Sequence, residues 1–354
     1  MITETNISIE KVNESRLPSV DLDNLPFGRV FTDHMFVMQY KDGEWLKPSI
    51  KPFQNFSMHP AMSAIHYGQS IFEGMKAYKN AEGEVLLFRP HQNITRMNQS
   101  ADRMCMPAIP EDLFYNGLTE LIKLDKDWIP GKEGSSLYIR PYMFATDEYI
   151  GIKPSDAYTF AIFCCPVGAY YSEPLKVKIE TKYTRAAEGG IGQAKAAGNY
   201  AAALYPAKMA KAHGYHQLVW TDAKEHKYIE ESGTMNIIFE IDGKLITPSG
   251  SGTILRGITR RSVVDVARHW GIQVEERTVT VEEVVDALEN GTLTDAFGAG
   301  TAATIAQVKT IGYNGKDYEL PAVSERGFSN KVFSYLNDLK RGEVDDPFSW
   351  VVKA

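Results

Sequence analysis

Cysteine is nearly absent from this sequence: Cys105, Cys164 and Cys165 are the three in 354 residues. Adjacent cysteines such as Cys164 and Cys165 rarely make a good disulfide, and no Cys-x-x-Cys pair occurs. A disulfide-stapled secreted domain is therefore excluded, and a reduced, cytoplasmic setting is expected. Long apolar runs are missing as well, since no window approaches the ~20 residues that span a bilayer. Residues 1–20 carry Glu4, Glu10 and Glu14. They lack both the apolar stretch of a signal peptide and the acid-poor, Arg-rich character of a transit peptide. Clusters of Lys and Arg are lacking: 45 acidic residues face 38 basic ones, for a net charge of −7. That balance argues against nucleic acid or an anionic membrane as partner. Internal repeats and low-complexity tracts are absent. No Gly-Lys pair is followed by Ser or Thr, which excludes the ATP-type phosphate loop. His213 and His216 have no partner cluster at ligand spacing, so no metal is expected.

What remains is an ordinary globular composition, 44% hydrophobic and 23% charged, long enough for about two domains at ~150 residues each. Residues 1–26 are expected to form a loosely held arm. Residues 27–165 suggest a small α+β domain, with strands at His34–Tyr40 and Met75–Phe88 and turns at Asp42-Gly43 and Glu82-Gly83. Pro90 suits the first turn of a helix running towards Arg103, and Asp112–Trp128 reads as a second helix. Strands follow at Ser136–Ala145 and Ala157–Cys165. Residues 166–175 are turn-rich and are taken as the interdomain connection. In the remainder, 176–354, Lys176–Tyr183 and His216–Trp220 read as strands. Ala201–Ala212 and Ile258–Trp270 read as helices, and Asn236–Thr247 as a hairpin closing at Asp242-Gly243.

Gly298-Ala-Gly300-Thr-Ala-Ala303 fits the dinucleotide fingerprint, but Ala303–Ile311 looks like a strand where that fingerprint requires a helix. The run Gly189-Gly-Ile-Gly-Gln-Ala-Lys195-Ala-Ala-Gly198-Asn199-Tyr200 places one lysine among small residues. Small neighbours let a ligand approach and strip water from the amine, and only a neutral amine attacks a carbonyl. From this segment alone, a solvated lysine in a glycine-rich loop is the commoner outcome. Glu231 stands just before a turn and a strand. A carboxylate facing a pyridine nitrogen would keep that ring protonated, as a pyridoxal electron sink needs. The alternative is a solvated acidic pair, Glu230-Glu231, of which one must be exposed. Gly257-Ile258-Thr259 opens an amphipathic helix whose free N–H groups suit a phosphate, and Gly300-Thr301-Ala302 offers a second turn of donors.

In this order the segments resemble the branched-chain amino acid aminotransferases of the fold-type IV pyridoxal-phosphate class. The likeness runs from Phe27-Gly-Arg-Val-Phe-Thr-Asp-His34 to about Val308. Its most specific parts are Phe72-Glu-Gly-Met-Lys-Ala-Tyr78, Leu87-Phe-Arg-Pro90, Leu137-Tyr-Ile-Arg-Pro141, Cys165-Pro-Val-Gly-Ala-Tyr170, Lys195 to Tyr200, and Glu231-Ser-Gly-Thr-Met-Asn236.

The resemblance implies a mixed α+β fold: a small N-terminal domain and a larger one with a β-barrel-like core, pyridoxal 5′-phosphate lying between them. It implies Lys195 as the Schiff-base lysine and proton shuttle between Cα and C4′, Tyr200 at the cofactor's phenolic oxygen, and Glu231 at its pyridine nitrogen. The phosphate falls to Arg96, the N–H groups of Ile258 and Thr259, and Thr301. The substrate carboxylate falls to the Thr301–Ala302 backbone and the Tyr138 hydroxyl. The side-chain chamber comprises Phe27, Tyr67, Phe72, Tyr170 and Thr234, with Ile150 and Ile152 from the second subunit of a homodimer. Arg140 would pair with the distal carboxylate of glutamate and turn to a pocket tyrosine, Tyr67 first, when leucine is bound. The implied reaction moves the amino group of leucine, isoleucine or valine onto 2-oxoglutarate by a ping-pong mechanism. Animal members carry a Cys-x-x-Cys redox pair where this chain has Ala303 and Ala306, so redox control of that kind is not expected. A D-amino-acid aminotransferase or a pyridoxal-phosphate lyase would share Lys195 and Glu231 but is shorter and lacks the Phe-Glu-Gly-Met-Lys run. A catalytically silent cofactor-binding protein is the alternative from another class.

Overall fold

A computed structural model describes residues 7–168, 170–171, 173–249 and 252–354. Residues 1–6 of the arm, and Ala169 and Ser172 of the expected connection, lie outside the described residues. The chain divides into two compact units. The first is Met1–Tyr170 with Ala194–Gly198 and Asp338–Ala354; the second is Tyr171–Gln193 with Asn199–Asn337.

Among the described residues the first unit is built on one ten-stranded sheet. In chain order its strands are β1 (Ser8–Ile9), β2 (His34–Lys41), β3 (Glu44–Trp45), β4 (Ser49–Pro52), β5 (Ser70–Phe72), β6 (Met75–Lys79), β7 (Val85–Phe88), β8 (Ser136–Ala145) and β9 (Tyr158–Val167), followed by Val351–Lys353. The central pairs β2–β9, β9–β8 and β8–β6 are antiparallel. Helix α1 spans Ser63–Tyr67, α2 Pro90–Arg103 and α3 Glu111–Leu124. Pro90 occupies the first turn of α2, where its missing N–H costs nothing. Helix α3 stops at Leu124 rather than continuing to Trp128, which lies in a short 3-10 turn. It packs closely on β2: a Cβ on Gly117 would lie 2.4 Å from the Phe36 ring. Phe36, Phe114 and Phe160 meet edge-on in this core.

The arm is tied down, contrary to the expectation from its polar composition. β1 pairs in parallel with β4, the Val12 N–H donates to His34 Nε2 at 3.0 Å, and Asp33 accepts from the Ser15 hydroxyl and the Arg16 N–H. These partners are remote in sequence, so local pattern could not show them.

The second unit contains β10 (Leu175–Ile179), α4 (Ala197–Ala202, entered from the first unit's Ala194–Gly198), α5 (Leu204–Ala212), β11 (Gln217–Thr221), β12 (Ile229–Ser232), β13 (Met235–Ile241), β14 (Lys244–Pro248), α6 (Ile258–His269), β15 (Val274–Arg277), α7 (Val281–Glu289), β16 (Leu293–Gly300), β17 (Thr304–Tyr313), β18 (Lys316–Glu319) and the start of α8 (Phe328–Arg341). The order β12-β11-β10-β17-β16-β13 closes on itself, because β13 also pairs with β12. Six strands thus form a barrel-like ring, which leaves β12 no free edge. Val177, Ile237, Phe239, Ala296 and Val308 belong to one apolar core of this unit. The fold is mixed α+β. The strand expected after Ala303 is present as β17, so Gly298–Ala303 is a strand end and hairpin and not a nucleotide loop.

Candidate active site

Lys195 sits two residues before α4, and its main chain is held on both sides. Its N–H donates to Ser100 Oγ at 3.0 Å, and its carbonyl accepts the Phe72 N–H at 3.0 Å. Ala196 forms an isolated bridge with Ile71. Anchoring the backbone confines the amine to a small volume, which a lysine on a free loop would not achieve. The Lys195 ammonium lies 4.6 Å from the Phe72 ring centre, and the Arg140 guanidinium lies 4.6 Å from the same ring.

Arg140 continues the cluster by donating from Nη2 to the Tyr138 hydroxyl at 2.9 Å. The Tyr138 ring meets Phe27 edge-on at 5.3 Å, and Phe27 meets Tyr170 at 4.8 Å. Phe27, Phe72, Tyr138, Arg140, Tyr170 and Lys195 are therefore contiguous within the first unit. Arg140 finds Tyr138 rather than Tyr67 because residues two apart on β8 share a face of the sheet. Its Nε is buried without a hydrogen-bond partner, an expensive state that an incoming acceptor would relieve. Tyr67, Ile150 and Ile152 are instead exposed, at 43%, 60% and 93%. Gly74 leaves room for this cluster, since a Cβ there would stand 2.4 Å from the Tyr138 hydroxyl.

Arg96 has one edge committed to a residue that sequence reasoning did not single out. Its Nε and Nη2 donate to the two oxygens of Glu73 at 2.7 and 2.8 Å, and Asn93 donates to the same carboxylate at 2.8 Å. Burial pushes the Glu73 carboxyl up, but the charge and hydrogen bonds of Arg96, the charge of Lys195 and the Asn93 bond outweigh it and hold the group below its ordinary range. A two-point fork of this kind sets the plane of the guanidinium. The signal in the sequence was an acid set among apolar residues, between Ile71-Phe72 and Met75, which must find a cation when buried. Glu73→Ala is expected to destabilise the protein by about 3–5 kcal/mol, because it strands the buried Arg96 charge. A denaturant-unfolding midpoint equal to that of the parent would contradict the pairing.

The second unit supplies a different set. Glu230 and Glu231 are both buried on β12, so the expectation that one must face solvent fails: β12 is flanked by β11 and β13. Glu231 accepts the Leu255 N–H at 2.6 Å and lies 3.2 Å from Arg185 Nε. Asn236, opposite Glu231 across the strand pair and opposite Ala299 of β16, donates to the Leu255 carbonyl at 2.9 Å. Its side chain also fills the place of a Cβ at Gly257, which would lie 1.8 Å from Asn236 Oδ1. Gly257 is the N-cap of α6, and no side chain caps that helix. The N–H groups of Ile258 and Thr259 belong to the first turn of α6, which has no intrahelical acceptors and lies at the positive end of the helix dipole, where an anion is favoured. Thr301 and Ala302 lie in the turn joining β16 to β17, where Gly298 and Gly300 make room for Met235. Tyr200 is half-buried on α4, and Thr234 is exposed in the turn between β12 and β13. Asn236 and Arg185 were missed by sequence reasoning; neither type is diagnostic without its neighbours.

Among the described residues no group of His, Cys, Asp and Glu could hold a metal, and no helix is long and apolar enough to cross a membrane. Residues 70–328 match the amino-transferase class IV family. Branched-chain-amino-acid aminotransferase 2 of Bacillus subtilis is 44% identical over 356 residues, covering 99% of this chain and 98% of that protein. The branched-chain amino acid aminotransferase of Escherichia coli superposes with a TM-score of 0.73 at 26% identity, covering 90% of this chain and 98% of its own. That of Thermoproteus uzoniensis, with norvaline, gives 0.75 at 24% identity, covering 90% and 99%.

Proposed function

The chain belongs to the class IV aminotransferases, pyridoxal-phosphate-dependent transaminases, and we propose that it moves the amino group of leucine, isoleucine or valine onto 2-oxoglutarate in two alternating half-reactions. Branched-chain aminotransferase activity is supported by full-length relatives. The finer reading is carried by one observation: an amine and a guanidinium share the Phe72 ring inside an aromatic cluster.

The residues present fit the cofactor. The second unit has a buried carboxylate and an uncapped helix start, and the first has an anchored lysine and a fixed arginine whose charges both act on Glu73. Pyridoxal phosphate, when bound, supplies an electron sink for negative charge at the substrate Cα. Lys195 Nζ would hold the cofactor and carry the substrate's Cα proton. Glu231 would keep the ring nitrogen protonated, and Tyr200 would donate to the phenolic oxygen. Arg96, the N–H groups of Ile258 and Thr259, and the Thr301 hydroxyl bind the phosphate. Tyr138 and the Thr301–Ala302 amides bind the substrate carboxylate. Phe27, Phe72 and Tyr170 offer apolar area to a branched side chain, each buried CH₂ contributing about 0.8 kcal/mol. Tyr67 and Thr234, with Ile150 and Ile152 from a second copy of a homodimer, complete the chamber, and the enzyme works in the cytoplasm. Turnover of L-leucine with 2-oxoglutarate tests the reading. Activity confined to D-alanine, or a lyase product, would replace it with one of the shorter relatives' reactions.

The cysteines add a separate expectation. Burial raises the Cys164 thiol well above its ordinary range and pushes Cys165 up to about 11, so both stay protonated and unreactive. Cys105 is exposed and has no second exposed cysteine to pair with among the described residues. Mild peroxide followed by reductant is expected to leave activity unchanged, and a reversible loss traced to any of the three would refute this.

A further inference from the structure

Arg185 has no part in the scheme above, yet its side chain is only 8% exposed and reaches three separate pieces of the second unit. Nη2 donates to the Gly192 carbonyl, in the glycine-rich stretch that leads to Lys195, at 3.3 Å. It also donates to the Thr253 carbonyl, in the loop that leads to α6. Nε lies 3.2 Å from Glu231 Oε2. Beside them, Glu230 accepts the Thr253 hydroxyl with Oε1, while its Oε2 is buried without a partner.

One cation thus stands near two buried carboxyl groups. An ionised carboxylate with an orphaned oxygen is far costlier to bury than the neutral acid. Glu231 has the better claim to the charge, since it also accepts the Leu255 N–H. Burial raises Glu230, its bond from Thr253 and the charge of Arg185 pull it back, and Asp222 adds to the rise.

We propose that Arg185 is a positioning residue for Glu231, its nearby charge holding that carboxylate ionised while Glu230 beside it stays neutral. The inference rests on the reading that Glu231 faces the cofactor's ring nitrogen. In the order cation, carboxylate, protonated ring nitrogen, the central anion is stabilised from both sides, so the proton stays on the ring. Without Arg185 the proton shifts towards Glu231 and the ring loses its positive charge. A less positive ring makes the lysine-linked nitrogen easier to protonate, which raises the pH midpoint of the holoenzyme's visible absorbance.

Spectrophotometric pH titration of the holoenzyme tests this without relying on turnover. Arg185→Gln is expected to raise the midpoint by roughly one unit, the size of a nearby opposite charge. Arg185→Lys keeps the charge and should remain close to the parent. Glu231→Gln should raise the midpoint too, and R185Q should then add little in the E231Q background. Glu230→Gln, which mimics the protonated acid, should leave the midpoint unchanged. Equal R185Q shifts in both backgrounds, or none, would show a merely structural arginine and overturn the proposal. A fall in the E230Q midpoint would mean that Arg185 serves Glu230, with the same consequence. An unshifted E231Q protein would instead remove the ring-nitrogen reading, and this inference with it. Should R185Q not retain cofactor, Arg185→Met, which also removes the charge, is titrated in its place in the parent and E231Q backgrounds against the same outcomes.

Discussion

Lys195→Ala is expected to lower turnover of leucine with 2-oxoglutarate by at least ~10⁴-fold, the upper end of what a positioned proton-transfer group contributes. In the proposed scheme the amine both anchors the cofactor and moves the Cα proton, so no single remaining side chain would replace it. The substitution should leave the fold intact, because the contacts that hold this segment are made by the Lys195 main chain, to Ser100 and Phe72. The competing amine in the first unit is Lys76 of β6, which burial pushes down to about 8 and which stands opposite Tyr138 in register. Borohydride reduction of the parent holoenzyme followed by peptide mapping separates the two. Label on Lys195 is expected; label on Lys76, or a Lys195→Ala protein that keeps its trappable chromophore and its activity, would sink the assignment.

Arg140→Met is expected to weaken the glutamate half-reaction roughly 10- to 150-fold, the equivalent of one charge-assisted hydrogen bond of ~1.5–3 kcal/mol. The leucine half-reaction should change far less. Leucine asks only for apolar surface, whereas glutamate and 2-oxoglutarate bring a second carboxylate that cannot be buried unpaired. Arg140 is suited to both. Its Nη2 rests on the Tyr138 hydroxyl, its plane lies near the Phe72 ring, and its buried Nε still lacks an acceptor. An arginine that merely braced β8 would, when removed, slow both half-reactions together. Single-turnover rates with each donor in the one mutant decide between these, and equal losses would end the idea of dual recognition.

Where a residue's conformation follows from its immediate neighbours, the sequence was a sufficient guide. Pro90 opens α2, and Asp242-Gly243, both with positive φ, closes the β13–β14 hairpin where that dipeptide signals a turn. Helix α7 had an equally local signal, Thr280 accepting the Glu283 N–H, but no helix was read there because its apolar run is short. The proposal for Lys195 had no such local signal: its own segment favoured a solvated lysine, and only the order of the other motifs singled it out.

What only the tertiary structure decided is which groups share a charge. Arg185 and Glu231, Arg96 and Glu73, and the Lys195 N–H and Ser100 hydroxyl are joined by the packing of strands and loops far apart along the chain. The arm was misjudged for that reason: its polar residues look solvated until Asp33 and His34 appear beside them. Glu230 was misjudged too, because an acid next to another acid is exposed in any open strand and is buried only when a ring of strands closes around it. Local pattern sets backbone conformation through short-range sterics and hydrogen bonds. Pairing of buried charges depends on distance in space, which no spacing along the chain encodes.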